Sequence, residues 1–457
     1  MEAAAQGNFR RALGPFAATA VNMTQMCGIG PFITIPLMVA TMGGPQAIIG
    51  WVAGALLAAF DGLVWAELGA AMPSAGGSYI YLREAFQYRS GKLMPFLFIW
   101  TAVLAIPLTM ATGIIGMVDY LSYFLPNMGF WESHFIGVGF VVVVVVALYR
   151  RIESIRALTI VLWVVMLLAV GLTIAASYSD FHASLAFNFP SGAFGSGFFG
   201  GLGAGLIIAI YDYLGYFTVA EMGDELREPG RTMPRAILTS IGVMMLIYLT
   251  LNIGVIGTLP WQRVANADSV ASLVVVRNWG HGAADLVTVL ILITALASVF
   301  AGLLGGSRLP FHAARDRVFF RVFDRLHPKH DFPHVSLLVM ALITAVGSFF
   351  ELTDVINLLL AILVIVQSVA QIVALSVLRR RQPGLYRPYR QWLYPLPSLA
   401  ALAGWLYVYA SATGTALIGS AIWIVAGVFV YIGWARLNRT WPFASPEIRE
   451  AYLDQAR

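Results

Sequence analysis

The sequence predicts an all-α integral membrane protein that crosses the bilayer twelve times, with both termini in the cytoplasm. The distribution of positive charge is the first of three observations behind this. Of the 28 Lys and Arg residues, all but Arg263 and Arg277 fall on alternate loops between apolar stretches. The basic segments are Arg10–Arg11, Arg83 to Lys92, Arg150 to Arg156, Arg227 to Arg235, Arg308 to Lys329, Arg379 to Arg390 and the tail from Arg436. The loops between them, near residues 42–46, 125–134, 178–197, 352–354 and 413–415, carry no Lys or Arg. Loops on the cytoplasmic side of a membrane protein collect positive charge, which accounts for the alternation. Composition is the second observation. Hydrophobic residues make up 59% and charged residues 11%, against roughly 25% charged in a soluble domain. The net charge of +5 is spread by topology rather than gathered on one face, so a lipid bilayer is the expected partner and nucleic acid is not.

The third observation is the run of apolar stretches, since a spanning helix needs about 20 such residues. They lie at 14–41, 46–72, 93–124, 133–149, 157–178, 196–223, 234–260, 281–308, 334–352, 354–378, 394–413 and 415–436. An even number is required, because the tail returns to the basic side. What remains is too short for a soluble domain, so residues 1–457 read as one polytopic unit. The opening MEAAAQGNFRRALGPF has arginines before the first span and no small-residue cleavage site after it, and reads as a retained first helix. A single cysteine, Cys27, excludes an intrachain disulfide.

Two of the twelve are poor helices. The first carries Cys27-Gly28-Ile29-Gly30-Pro31-Phe32 at its middle. Proline lacks a backbone donor and disfavours helix in the residue before it, and the glycines ease non-helical angles. The sixth carries Tyr211-Asp212-Tyr213-Leu214-Gly215-Tyr216. Spans one and six occupy matching positions if the first ten helices form two repeats of five. Interrupted helices in matching positions point to a substrate site, and unwound backbone at membrane depth survives only beside a protein-lined cavity. The glycine-rich stretch 191–205, SGAFGSGFFGGLGAG, lacks the Lys-Ser/Thr ending of a phosphate loop. Its Gly197, Gly201 and Gly205 have instead the four-residue spacing of close helix packing.

Ionisable groups deep in a bilayer are functional candidates by default. Asp61 and Glu67 of the second span and Asp212 of the sixth qualify, and no Lys or Arg occupies the central part of any span. A buried carboxylate without a basic partner must be protonated, bind a cation or sit in water. Asp212 therefore suggests a partner for an ammonium or guanidinium group, or a proton carrier; the alternative is that it caps the resumed sixth helix. Asp61 is either a second proton carrier or a structural hydrogen-bond acceptor. Glu67 reads as structural, as does Glu221, which is within reach of a loop arginine. Cys27 reads as a small packing residue, and Gln25 as a candidate contact for a substrate or ion.

These motifs together resemble the amino acid–polyamine–organocation superfamily of secondary transporters and its amino acid permease family. Gly28-Ile29-Gly30-Pro31-Phe32 is similar to that family's Gly-x-Gly-x-Phe break, and Pro73-Ser74-Ala75-Gly76-Gly77-Ser78-Tyr79-Ile80-Tyr81 with Arg83-Glu84-Ala85-Phe86 to its segment before helix 3. Tyr211-x-Tyr213-x-Gly215-Tyr216 resembles the break in helix 6. Asp224-Glu225 with Glu228-Pro229 and Pro234, Ser307-Arg308 with Ala314-Arg315-Asp316, and Tyr386-Arg387-Pro388-Tyr389 extend the likeness over nearly the whole chain. The resemblance implies a five-plus-five inverted repeat of the leucine-transporter type, with repeat one at about 14–178, repeat two at about 196–378, and helices 11 and 12 at about 394–436 outside it. It implies that a substrate carboxylate meets the N–H groups of Gly28, Ile29 and Gly30, that the amino group meets carbonyls exposed at both breaks, that Tyr211 is an aromatic gate and that Tyr216 lines the side-chain pocket. The substrate-binding candidates are Met26, Gly28, Ile29, Gly30, Tyr211, Asp212, Leu214, Gly215 and Tyr216, with Asp212 and Asp61 the candidate proton carriers.

The expected function is secondary transport of amino acids or related amines across the cytoplasmic membrane, with Asp212 favouring a polyamine or other cationic substrate. Span five has no lysine of the kind many proton-coupled and exchanging relatives use, and Ser298 follows Ala297 rather than a second hydroxyl, which weakens a sodium site. Proton symport or exchange remains. An intramembrane protease would need Asp61 and Asp212 face to face, and Gly-x-Gly-Asp, His-Glu-x-x-His and Gly-x-Ser-x-Gly are all missing. A non-transporting amino-acid sensor on the same fold is the other alternative. No cofactor, metal, catalytic residue or particular partner protein is indicated.

Overall fold

The computed structural model describes residues 13–74, 76–149, 155–328 and 332–454. Arg10 and Arg11 in the opening segment, Ala75 of the Pro73–Tyr81 motif, Arg150, Arg151, the Arg156 side chain and Lys329 lie outside that description. Among the described residues the chain is helical, apart from one bridge pairing Leu13 with Leu226. In order the helices are α1 (Pro15–Met26), α2 (Gly30–Met42), α3 (Ala47–Ala71), α4 (Ser78–Ser90), α5 (Leu93–Leu121), α6 (Phe130–Tyr149), α7 (Ile155–Ser179), α8 (Ala183–Ala186), α9 (Phe198–Tyr213), α10 (Thr218–Glu221) and α11 (Pro229–Thr258). Then come α12 (Trp261–Ala265), α13 (Val270–Trp279), α14 (His281–Gly306), α15 (Arg308–Arg315), α16 (His334–Gly347), α17 (Leu352–Leu363), α18 (Ala370–Arg381), α19 (Leu396–Ala410), α20 (Gly414–Leu437) and α21 (Pro446–Asp454).

Seven described helices are long and apolar enough to cross a membrane, or eight if the bent pair α1–α2 is one span. This is fewer than the predicted twelve, for a geometric reason. The helices within four other predicted spans are shorter or incompletely described: α9 has 16 residues, α16 14 and α19 15, while α7 is apolar over Trp163–Ser179. At 1.5 Å per residue, 14–16 residues cover about 21–24 Å of a roughly 30 Å hydrocarbon core. The structure also puts a short apolar helix, α13, between the seventh and eighth predicted spans, where the sequence reading had only a loop.

Two packed groups position the site. In one, α3 lies against α9 and α11, with α1 against α11 and α2 against α9. In the other, α5 lies against α14, α16 and α17, and α14 against α7. The glycine stripe on α9 is used in part. Gly201 and Gly205 face Met42 of α2 closely enough that added Cβ atoms would meet it, whereas Gly197 has nothing within 4 Å. Gly203, on the opposite face, abuts Ser411 and Tyr407, a contact the four-residue spacing did not indicate.

Candidate functional site

The first span breaks after Met26. Cys27 leaves the helical region at φ −107, ψ 87, and the chain resumes at Gly30 with a 56° bend. Pro31 falls in the first turn of α2, where a missing N–H breaks no helical bond. The sixth span breaks after Tyr213: Leu214 is extended, Gly215 takes φ +113, and the helix returns only as the single turn α10. Gly215 is required twice over. Its φ lies in the region L side chains avoid, and a Cβ there would come within 2.7 Å of Gln25 Cβ on α1.

Freed backbone groups at buried breaks need partners. Asn22 of α1 supplies two for the sixth span: its Nδ2 donates to the Tyr216 carbonyl at 2.6 Å and its Oδ1 accepts from Val219 N at 2.9 Å. Tyr248 of α11 bridges both breaks, its hydroxyl 2.7 Å from the Met26 carbonyl and 2.9 Å from that of Asp212. Two of the carbonyls expected to meet an amino group are thus held by a tyrosine the sequence reading did not select. The N–H groups of Gly28, Ile29 and Gly30 donate to no described acceptor.

These groups border a cavity of about 210 Å³. Met26, Gly28, Ile29, Gly30, Tyr211, Asp212 and Leu214 line it, together with Gln25 and Cys27. Gly215 and Tyr216 do not: the first is spent on the approach to α1, and the Tyr216 hydroxyl points instead to Asp61 at 2.5 Å. Asp61 is likewise outside the cavity, so it and Asp212 form no face-to-face pair. The remaining wall comes from α5, α7 and α14, whose lining residues include Thr109, Trp163, Thr294 and Ser298. Thr109, Thr294 and Ser298 each donate to a carbonyl one turn back in their own helices. Trp163 is not ionisable and so carries no signal in the sequence, yet its indole N–H is buried and has no hydrogen-bond partner among the described residues. Thr294 was missed too, although it lies one helical turn before Ser298. A larger, shallow hollow of about 690 Å³ lies near Phe124, Trp131 and Phe135, away from both breaks.

Asp212 is 2% exposed. It does not cap the resumed sixth helix; its carboxylate lies over the first turn of α2. Thr34 donates to Oδ2 at 2.5 Å, and Oδ1 has no hydrogen-bond partner among the described residues. A Cβ on Gly30 would fall 2.3 Å from Oδ1, so Gly30 also makes room for the carboxylate. Toward α5, the Tyr211 hydroxyl is 2.6 Å from that of Thr112.

Glu67 has the basic partners that its span lacks. Arg379 engages both oxygens, Arg387 Nε is 3.6 Å from Oε1, and Gln391 N donates to Oε2 at 2.7 Å. Tyr394 stacks under the Arg379 guanidinium at 3.8 Å. Glu221, by contrast, makes no ion pair with a described arginine; it packs against Gly77.

A multi-pass helical protein with two broken spans around a small cavity belongs to the class of membrane permeases rather than enzymes. The chain is a member of the amino acid permease family, whose pattern matches residues 13–444. It is similar to the branched-chain amino acid permease BcaP of Bacillus subtilis (strain 168), 26% identical with 94% of each chain covered. It is 24% identical to the serine/threonine exchanger SteT of the same strain, over 92% of this chain and 95% of that one. The cationic amino acid transporter 4 of Mus musculus is 22% identical, over 75% of this chain and 56% of its own.

Proposed function

We propose that this chain is a secondary transporter of amino acids or related amines in the cytoplasmic membrane, working by alternating access of one helix group against the other. In this reading the chain crosses the membrane twelve times with both termini cytoplasmic. The two breaks are matching positions of a five-plus-five inverted repeat, and α19 and α20 are helices 11 and 12. The free N–H groups of Gly28, Ile29 and Gly30 receive the substrate carboxylate, as half-helix N-termini favour anions. Asp212 Oδ1 receives its ammonium group, Tyr211 closes over it, and Met26 and Leu214 border the side chain. Gly215 shapes the break, and Tyr216 acts on it from outside the pocket.

The observation that carries this is the pairing of unpartnered backbone donors with an unpartnered carboxylate oxygen on one cavity. Cavity walls from the late part of α14 and the early part of α7 support an opening toward the basic face. Relatives named for branched-chain and hydroxyl amino acids support a zwitterionic substrate. The absence of a described ion pair on Asp212 supports a cationic one, such as a basic amino acid or polyamine. Asp212 is also the better proton carrier for symport, because Asp61 is fully occupied by donors; obligate exchange is the alternative.

A thermal-shift screen of the purified protein with amino acids and polyamines, repeated on Asp212→Ala, tests the site. Cationic ligands are expected to stabilise the parent and to lose most of that effect in the variant. Equal stabilisation of both proteins removes Asp212 from recognition. Accumulation of labelled substrate in proteoliposomes separates transport from sensing.

A further inference from the structure

Asp61 is 2% exposed and lies outside the cavity, and no described arginine or lysine reaches it. Three uncharged donors from separate places converge on its carboxylate. Trp65, one turn along α3, donates to Oδ2 at 3.0 Å; Tyr216, in the break after α9, donates to the same oxygen at 2.5 Å; Trp405 of α19 donates to Oδ1 at 3.0 Å. A carboxylate taken out of water is tolerated only when donors replace its hydration. Each of the three bonds is therefore costly to break, and the node resists separation of α19 from α3 and the break.

Other contacts fasten α19 to the same side. A Cβ on Gly203 of α9 would lie 2.7 Å from Ser411 Cβ, and one on Gly404 would lie 2.6 Å from Leu57 Cδ1 of α3. Tyr407 donates to the Phe199 carbonyl. The next helix, α20, is fastened elsewhere. Trp423 of α20 stacks on Trp100 of α5 with ring centroids 4.6 Å apart. Each indole N–H also donates to the other residue's carbonyl, at 2.9 and 3.3 Å. Gly419 packs on Leu358 of α17 and Gly427 on Trp100, while Phe96 of α5 meets Tyr431 and Trp434. One described side-chain hydrogen bond crosses between the two helices, the Tyr409 and Ser420 hydroxyls 3.3 Å apart, and Ser411–Thr413 connects them. There Thr413 N donates to Asn357 Oδ1 of α17 at 3.2 Å. Where α19 touches the wide turn Val364–Val369 between α17 and α18, no described side-chain hydrogen bond crosses the contact.

We propose that Asp61, with Tyr216 and Trp405, is a positioning group that makes α19 move with α3 and the broken sixth span, while α20 stays with α5 and α17. The α19–α20 hairpin is then a strap between the two bodies that flexes at Ser411–Thr413 during each cycle. This rests on the alternating-access reading above. The division follows from the bonding: one helix is pinned to α3 and the sixth-span break by a buried carboxylate, the other to the opposite group by paired tryptophans.

Spin labels in proteoliposomes test it, on Leu406→Cys with Phe429→Cys across the strap and on Leu56→Cys with Leu406→Cys within the proposed body. Samples are compared without ligand and with leucine, serine or arginine, at pH 5 and pH 8. The α19–α20 distance is expected to take two values whose weights change, while the α3–α19 distance keeps one. A single unchanging α19–α20 distance, or an α3–α19 distance that shifts with it, overturns the strap. That reading holds whether or not the parent takes up the three labelled amino acids, so a failure of the transport assignment is seen separately. Trp405→Phe keeps the ring but removes the donor. It is expected to broaden the α3–α19 distance and, for any amino acid the parent accumulates, to lower maximal uptake several-fold with KM unchanged. An unaltered distance in Trp405→Phe overturns the positioning role.

Discussion

Thr34 donates to Asp212 Oδ2 at 2.5 Å, so the resumed half of the first span holds the carboxylate that ends the first half of the sixth. The bond aims the acid, leaving Oδ1 against Gly30 without a described hydrogen-bond partner. Hydrogen bonds to charged groups are worth about 1.5–3 kcal/mol. Thr34→Val is therefore expected to weaken ligand binding by about tenfold or more while Asp212 itself remains. Ligand titrations followed by intrinsic fluorescence measure this, and unchanged affinity would show that the threonine does not orient the acid.

Tyr248 offers one hydroxyl proton to two carbonyls, those of Met26 and Asp212. In Tyr248→Phe both carbonyls lose their donor in a buried setting, which costs about 1–3 kcal/mol. A lower melting temperature is expected, and it should recover in part when a ligand amine supplies the missing donor. A variant that melts like the parent would mean that solvent reaches these carbonyls.

The Glu67 cluster joins α3 to α18 and the segment after it through Arg379, Arg387 and Gln391. Removing one side of a buried ion pair costs about 3–5 kcal/mol. Glu67→Gln and Arg379→Met are each expected to lower thermal stability strongly, and the double variant to lose less than the two single losses added together. Additive losses would argue that the pair is not coupled.

Gly215→Ala forces a side chain onto φ +113 and against Gln25. Severe loss of folded protein is expected on size-exclusion chromatography in detergent. Gly197→Ala, in open space, serves as the comparison and is expected to behave as the parent.

The two breaks were legible because glycine and proline act on the backbone locally, whatever surrounds them. Asp212 was legible because a carboxylate in an apolar stretch has no local explanation. Tyr216 was misread for the converse reason. Its place beside the break is local, but the direction of its hydroxyl is set by Asp61, 155 residues away. Tyr248, Asn22 and Trp163 gave no signal, since an aromatic or a lone amide in an apolar helix is common and acquires a role only from what it faces.

The sequence by itself determined that this chain is a helical membrane protein, which side of each loop is basic, and where two spans must interrupt. Those properties follow from hydropathy, charge and backbone chemistry, which are read residue by residue. The tertiary structure alone decided which oxygen of Asp212 is free, which carbonyls are already taken, and that Asp61 serves a joint between helices rather than the cavity. Each of these depends on donors brought together from distant parts of the chain, and a buried polar group is defined by its partners.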